Sequence, residues 1–201
     1  MMLDVSGVGY DIAVVGTSWG GLAALRTLVA GLPESFQMAA VLVQHRHKDS
    51  DHLLRALLQE RSALEVCEVE DKMPIEHGRV YVAPPDYHTL VELGHFSLST
   101  DAPVRYSRPS IDVTFGSAAD SYGHRTVGIV LTGANADGAD GLLRISNRGG
   151  MALVQDPATA ESPVMPAAAL KAVPRARVMP LPELVRFLSD LPAGVPEREG
   201  A

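Results

Sequence analysis

Three residues of this sequence have the types that nucleophilic catalysis requires: a serine, a histidine and an aspartate. Ser18 lies in a G-x-S-x-G pattern, in which small neighbours allow a tight strand-to-helix turn that exposes the hydroxyl. Histidine takes up and returns protons near neutral pH, which suits His45 to the role of general base, and Asp137 is suited to orient the imidazole. A serine becomes nucleophilic only in contact with such partners. The three together therefore indicate acyl transfer through a covalent intermediate.

Each of these residues also has a purely structural interpretation. Ser18 and Asp137 both precede a predicted helix, and either side chain could cap it. A histidine at the end of a strand, such as His45, often has no catalytic role. The argument for chemistry therefore depends on the joint placement of the three residues.

Each of the three residues lies in a loop that follows a predicted strand. The strands are the apolar segments IAVVG from Ile12, MAAVLVQ from Met38 and TVGIVLTG from Thr126, and a predicted helix follows each of them. Strands that alternate with helices indicate an α/β fold with a doubly wound, mostly parallel sheet and helices on both faces. Because ligands bind at the carboxyl ends of parallel strands, we expect the three loops to meet at one edge of this sheet.

The remaining segments continue this alternation. Further strands are predicted at LEVCEVE, RVYVAP, MALVQ and RVMP, and helices at 20–31, from Leu53, after Pro109, and at about 139–147, 165–172 and 181–189. HTLVEL and HFSLST, joined by Gly94, predict a small antiparallel hairpin, and the middle section as a whole is expected to be more antiparallel. We expect a single domain over residues 1–201, with a core from about 11 to 191 and loose termini.

Composition and charge exclude several classes of function. The chain has 201 residues, of which 46% are hydrophobic and 20% charged, and its formal net charge is -7. Such an acidic chain lacks the basic surface that nucleic acid binding requires. The single cysteine, Cys67, excludes an intrachain disulfide, and no segment has the pattern of a secretory signal or a membrane span. We therefore expect a cytoplasmic protein without membrane insertion.

Four motifs, in this order along the chain, resemble one known family. They are GTSWGG after the first strand, QH after the second, RPSID from Arg108 and LTGANADGADG from Leu131. The combination resembles the catalytic domain of chemotaxis protein-glutamate methylesterases of the CheB type, over about residues 11–191. The order serine, histidine, aspartate also differs from the serine, acid, histidine order of α/β-hydrolases.

The resemblance implies hydrolysis of glutamate methyl esters on methyl-accepting chemotaxis receptors, with deamidation of receptor glutamines as a second activity. It assigns the nucleophile to Ser18, the general base to His45 and the orienting carboxylate to Asp137. The backbone N–H groups of Trp19 and near Ala134 would form the oxyanion hole. The resemblance implies neither a cofactor nor a metal.

The resemblance also raises the question of partners and control. Arg108 is expected either to bind a substrate or receptor carboxylate, or to form an ion pair that positions its own loop. The receptor is the expected protein partner, and a separate response regulator or methyltransferase is a further one. The chemotaxis enzymes usually carry an N-terminal receiver domain, and the residues before Asp11 are too few to form one. We therefore expect a stand-alone form whose control is absent or external.

Two positions depart from the family pattern. Trp19 replaces the threonine that usually follows the nucleophile, which removes a hydroxyl and adds a bulky ring beside the site. The segment Gly133-Ala134-Asn135 replaces the usual glycine-methionine-glycine. We therefore expect differences in substrate access and in the loop that contributes to the oxyanion hole.

Three other functions fit parts of the sequence. The segment from His45 to His52 partly matches a His-x-His-x-Asp-His metal motif, but Ser50 occupies the place of the last histidine. A dinucleotide site would require G-x-G-x-x-G spacing after the first strand and an acidic residue after the second, where Gln44 and His45 lie instead. A non-catalytic receptor-binding or regulatory domain is the strongest alternative, because Trp19 could block the pocket.

Overall fold

The computed structural model of the chain describes residues 9–46 and 53–194. A seven-stranded sheet has the strand order β3-β4-β2-β1-β7-β8-β9, and all its neighbouring strands are parallel. The strands of this sheet are β1 (Ile12–Thr17), β2 (Ala39–Gln44), β3 (Glu65–Glu68), β4 (Arg79–Val82), β7 (Thr126–Val130), β8 (Met151–Gln155) and β9 (Arg177–Met179). The predicted α/β fold with a mostly parallel sheet is confirmed.

Among residues 9–46 and 53–194, six α-helices connect these strands and cover both faces of the sheet. They are α1 (Gly21–Gly31), α2 (Leu53–Gln59), α3 (Ile111–Tyr122), α4 (Ala139–Asn147), α5 (Val164–Ala172) and α6 (Leu181–Ser189), and a 3-10 turn (Gly123–Arg125) follows α3. Alternate side chains of β1 enter two separate cores because successive residues of a strand point to opposite faces. Ala13 and Val15 pack with α1, α2 and α6, whereas Ile12 and Val14 pack with α3, α4 and α5.

Strand β1 is the point at which the sheet changes its direction of winding. It pairs with β2 on one side and with β7 on the other, and all six of its residues are buried. Open parallel sheets place their ligand sites at such a switch point, outside the carboxyl ends of the strands. The loops after β1, β2 and β7 meet there.

The middle of the chain is less antiparallel than its sequence predicts. The predicted hairpin is present, since β5 (His88–Glu92) and β6 (His95–Ser99) pair antiparallel. The expectation for the two preceding strands is wrong, because β3 and β4 pair in parallel with each other and β4 pairs in parallel with β2. Their short apolar segments carry no information on the direction of pairing, which depends on the path of the chain between them.

The helix α3 lies unusually close to β1. A Cβ atom on Gly16 would stand 2.3 Å from Ile111 Cγ2, so only a glycine at this position lets the first residue of α3 rest on the strand. This contact brings the N-terminus of α3 to the carboxyl end of β1.

No helix in the described parts of the chain is both long and apolar enough to cross a membrane.

Candidate active site

Ser18 and His45 lie side by side at the carboxyl end of the sheet. Thr17 and Gln44, the last residues of β1 and β2, are paired in the parallel register, and Ser18 and His45 follow them directly. The His45 N–H donates to the Thr17 carbonyl at 3.2 Å, which continues the pairing by one step. Because neighbouring strands are about 4.8 Å apart, the two side chains start from adjacent points of the backbone.

Asp137 contacts His45 from the loop after β7. Its Oδ2 lies 2.7 Å from His45 Nε2, and the carboxylate is fully buried. An ionised carboxylate only accepts hydrogen bonds, so Nε2 carries the proton in this contact. The arrangement orients the imidazole and leaves Nδ1 as the nitrogen that can accept a proton.

The N-terminus of α3 surrounds Asp137 with further donors. Its Oδ1 accepts from the Ser110 hydroxyl at 2.9 Å and from Asp112 N–H at 3.0 Å, and its Oδ2 accepts from Ile111 N–H at 2.7 Å. Burial raises the pKa of Asp137, but the hydrogen bonds from His45 and from the Asp112 and Ile111 amides outweigh burial and hold the pKa below its ordinary value. Asp137 is therefore a stable anion beside the imidazole.

Asn135 contacts the other nitrogen of the imidazole. Its Nδ2 lies 3.1 Å from His45 Nδ1, while its Oδ1 accepts from Asp137 N–H at 3.0 Å. His45 is thus held on both sides by residues of a single loop, the one after β7.

Ser18 is half-buried, and its backbone rather than its side chain is anchored. Its N–H donates to the Thr132 carbonyl at 3.0 Å. Within residues 9–46 and 53–194, the Ser18 hydroxyl has no hydrogen-bond partner and is not bonded to His45. Nucleophile and base often come into hydrogen-bond contact only when substrate is bound.

Thr132 joins the loop of Ser18 to two other loops of the site. Its carbonyl also accepts from the Thr17 hydroxyl at 2.7 Å, and its own hydroxyl donates to the Trp19 carbonyl at 2.9 Å. The same hydroxyl accepts from Ser162 N–H at 2.9 Å. These bonds fix the turn that presents Ser18.

The backbone N–H groups of Trp19 and Ala134 are available at the site. Among the described residues, neither group donates to a protein acceptor. Gly20, with φ of 76°, supports the sharp turn before α1, because this left-handed conformation favours glycine. The Trp19 side chain is 66% exposed, so most of its ring is open to solvent.

A cleft of about 400 Å³ opens beside His45. It is lined by His45, Arg46, Asp86, Pro103, Tyr106, Ser107, Arg108 and Pro109. Arg108 is already engaged, because its guanidinium binds the Asp86 carboxylate and donates to the carbonyls of Thr100 at 2.8 Å and Asp101 at 3.1 Å. The structure thus places Arg108 in the wall of the cleft next to the proposed base.

Asp112 is a second, half-buried carboxylate near Asp137. Its Oδ1 accepts from Gly138 N–H at 2.9 Å and from Gly141 N–H at 2.7 Å, and its Oδ2 lies 3.5 Å from Arg105 Nε. Burial raises the pKa of Asp112 to about 6, against the Gly141 hydrogen bond and with the help of the neighbouring Asp137 charge. Asp112 links the start of α3 to the start of α4.

The metal alternative can be examined only in part. His47, Asp49, Ser50, Asp51 and His52 lie outside the described residues. Among the residues that the structure does describe, no three His, Cys, Asp or Glu side chains are grouped so that they could hold a metal ion. Both ring nitrogens of His45 already have partners, since Nε2 contacts Asp137 and Nδ1 contacts Asn135.

Sequence reasoning missed three contributors to this site. They are Asn135, Thr132 and the group of donors formed by Ser110 and the first amides of α3. The one available signal was the RPSID motif, in which a serine precedes a helix and therefore marks an N-terminus with unpaired N–H groups. Nothing in the local sequence indicates that Asp137 accepts those donors.

Known proteins resemble this chain over nearly its whole length. The model of the family described as CheB methylesterase matches residues 13–188. A relative from Leptospira interrogans, whose name includes the words protein-glutamate methylesterase/protein-glutamine glutaminase, is 42% identical over 185 residues, covering 92% of this chain and 96% of its own length.

Two further comparisons extend this likeness. A relative from Anaeromyxobacter dehalogenans with the same paired activity in its name is 38% identical over 90% of this chain, which corresponds to 53% of the relative. The crystal structure of the Thermotoga maritima CheB methylesterase catalytic domain superimposes with a TM-score of 0.87 at 29% identity, covering 91% of this chain and 99% of that domain. This chain therefore belongs to the CheB methylesterase family.

Proposed function

We propose that this protein hydrolyses methyl esters of glutamate side chains on methyl-accepting chemotaxis receptors and deamidates receptor glutamines. The names of its relatives support both activities. The observation that carries the proposal is the Asp137–His45 hydrogen bond of 2.7 Å, formed directly beside Ser18 at the switch point of the sheet. Serine hydrolases use this combination of a base, its orienting carboxylate and an adjacent hydroxyl for both ester and amide hydrolysis.

In the proposed first step Ser18 Oγ attacks the ester carbonyl. His45 Nδ1 takes the serine proton and then delivers it to the departing methoxide, so that methanol leaves and an acyl-serine remains. Asp137 stays ionised and stabilises the imidazolium, which is consistent with its lowered pKa. In the second step His45 accepts a proton from water as the hydroxide adds to the acyl carbonyl. The imidazolium then returns this proton to Ser18 Oγ as the bond between the acyl carbon and Oγ breaks, and the products are glutamate and the free serine.

The proposed oxyanion hole consists of the N–H groups of Trp19 and Ala134. Both donors lie in loops at the carboxyl ends of β1 and β7, and both are without a protein acceptor among the described residues. Removal of one such donor typically slows acyl transfer by about 10²- to 10³-fold.

The cleft beside His45 is the proposed entry for the receptor side chain. Tyr106 is fully exposed on its rim, and most of the Trp19 ring is open to solvent. We assign Arg108, in the wall of this cleft, to binding of a receptor carboxylate while Asp86 holds its guanidinium in place. The cytoplasmic location expected from the sequence remains a prediction.

A non-catalytic receptor-binding domain is the second candidate. The observation that favours it is that Ser18 Oγ and His45 share no hydrogen bond. Both candidates predict binding to a receptor, and only the first predicts release of methanol.

The test uses receptor cytoplasmic fragments methylated with a radiolabelled methyl group. We expect the wild-type protein to release volatile methanol from this receptor and to convert receptor glutamine to glutamate. A matched receptor whose methylation-site glutamates are replaced by aspartate should yield no methanol. Binding to the methylated receptor without release of methanol would instead support the second candidate.

A further inference from the structure

The amide of Asn135 is fixed in one orientation by two contacts. Its Oδ1 accepts from Asp137 N–H at 3.0 Å, which closes a turn of the kind that asparagine forms with the residue two positions on. Because the backbone N–H can only donate, the amide oxygen must face it. The amide NH₂ therefore faces His45 Nδ1, at 3.1 Å.

This contact determines the protonation of Nδ1. An amide NH₂ only donates, so Nδ1 must present its lone pair to Asn135 and carry no proton. Asp137 requires the same tautomer, because its carboxylate accepts the Nε2 proton at 2.7 Å. The Asn135 contact is thus not needed to select the tautomer of His45.

The contact instead affects the step in which a proton arrives at Nδ1. That nitrogen has a single lone pair in the ring plane, and Asn135 occupies it while the Ser18 hydroxyl has no partner in the described part of the chain. Once Nδ1 is protonated, its N–H would face the NH₂ of Asn135. The amide cannot present its oxygen to the ring without losing the Asp137 N–H.

We propose that Asn135 is a positioning residue that competes with Ser18 for His45 Nδ1 and thereby restrains acylation of the serine. The inference rests on the proposed function in one respect, the role of His45 as the base. The hydrogen bond from Asn135 must break before Ser18 can transfer its proton. A neutral hydrogen bond of this kind corresponds to about a three- to tenfold change in rate.

The matched variants are Asn135→Ser and Asn135→Asp. A serine hydroxyl can still accept from Asp137 N–H, but it is too short to donate to His45, so the variant keeps the turn and frees Nδ1. We expect acylation to be about three- to tenfold faster in this variant. The aspartate keeps the shape of the side chain but places an acceptor against Nδ1, which draws a proton onto that nitrogen. We expect this variant to be acylated at least about tenfold more slowly than the wild type.

Two readouts follow these variants without a receptor. The first is the release of nitrophenolate from p-nitrophenyl acetate in the pre-steady state, which reports acylation of Ser18, with Ser18→Ala as the blank. The second is the ¹⁵N resonance of His45 Nδ1 in histidine-labelled protein, assigned with His45→Gln. We expect this resonance to move toward that of a free, unprotonated ring nitrogen in Asn135→Ser.

The outcomes separate this inference from the proposed function. A faster burst together with the moved resonance supports the inference even if the wild type releases no methanol from receptor. A resonance unchanged in Asn135→Ser overturns it, as does a burst that is unchanged or slower, because Asn135 would then not compete for Nδ1.

Discussion

At the scale of single residues, Asp137 holds the site together. It accepts hydrogen bonds from His45, the Ser110 hydroxyl and the Ile111 and Asp112 amides, and no part of it is exposed. The same carboxylate that orients the imidazole also anchors the first turn of α3. Truncation of the Asp137 side chain would therefore remove both functions at once. A substitution that keeps the shape of the side chain is more informative.

We expect Asp137→Asn to lower kcat by about 10³- to 10⁴-fold, because an amide in place of the carboxylate no longer stabilises the imidazolium. The amide NH₂ must also face one of the donors at the start of α3, so we expect a loss of about 1–3 kcal/mol in the free energy of unfolding. Methanol release and urea denaturation measure the two effects. Ser110→Ala is the control, since it removes one donor and leaves the ion, and its kcat should stay within about tenfold of wild type. A kcat of Asp137→Asn similar to that of Ser110→Ala would contradict the assignment of Asp137 as the residue that orients the base.

Arg108 is a second test at this scale. We expect Arg108→Ala to raise the KM for receptor about tenfold, with kcat changed by less than about threefold, because the substrate carboxylate loses a cation. Asp86→Asn is the matched control, because it breaks the ion pair that holds Arg108 but leaves the cation in the cleft. Steady-state kinetics on methylated receptor give kcat and KM for both variants. Equal effects of the two substitutions would mean that Arg108 only positions its loop.

The residues that the sequence could not reveal act through contacts between loops. Ser18, His45 and Asp137 are identifiable because each has a reactive type and follows an apolar strand. Asn135 and Thr132 have ordinary polar side chains, and their importance comes from partners that are distant along the chain, His45 and Trp19. Such contacts exist only after the sheet has brought the loops together.

At the scale of elements, the local periodicity of the sequence correctly predicts where several helices and strands begin and end. The helices α4 and α6 and the strand β8 have the predicted limits, because their apolar pattern and their flanking polar or glycine residues are clear. Helix α3 begins at Ile111, in the region predicted after Pro109, and Asp137 accepts hydrogen bonds from its first amides. The direction of pairing of β3 and β4 depends on tertiary packing, and local patterns do not encode it.

The close packing of α3 on β1 gives a prediction for Gly16. We expect Gly16→Ala to lower the free energy of unfolding by about 1–3 kcal/mol, because the added methyl group stands 2.3 Å from Ile111 Cγ2 and α3 must shift. The shift moves the Ile111 amide away from Asp137, so kcat should also fall. Urea denaturation and methanol release measure both effects.

Gly116→Ala, within α3 itself, is the control for this change. A Cβ there stands 3.4 Å from the nearest atom, Arg144 Nη1, at the end of a flexible side chain. Alanine is favoured over glycine inside helices by about 1 kcal/mol, so this variant should be at least as stable as wild type. If both variants were equally stable, the proposed dependence of the site on the α3–β1 contact would be wrong.

At the scale of the whole molecule, the half-buried Asp112 couples the site to the pH dependence of stability. Burial raises the pKa of Asp112 from 3.8 to about 6. Between these values the folded protein retains the Asp112 proton, whereas the unfolded chain has released it. Raising the pH through this window therefore favours the unfolded state.

We expect the stability of wild type relative to Asp112→Asn to fall as pH rises from about 4 to about 6, and to be constant above about 7. The asparagine oxygen can still accept from the Gly138 and Gly141 amides, so the variant keeps these contacts while it loses the titration and the ion pair with Arg105. Urea denaturation of both proteins across this pH range measures the difference. A difference that does not vary with pH would show that Asp112 is not protonated in the folded state near pH 5.

The architecture of the sheet places Ser18 where the loops of the site meet. Strand β1 lies at the centre of the sheet, and the loops on either side bring His45 and Asp137 to the position that follows it, where Ser18 lies. If Ser18 is the nucleophile, every chemical step of the proposed function passes through its hydroxyl.

The most direct measurement is therefore methanol release from methylated receptor by the wild type and by Ser18→Ala at equal concentration. We predict that the wild type releases methanol and that Ser18→Ala is slower by at least about 10³-fold while remaining folded. Equal rates in the two proteins would contradict the central claim that Ser18 carries the reaction.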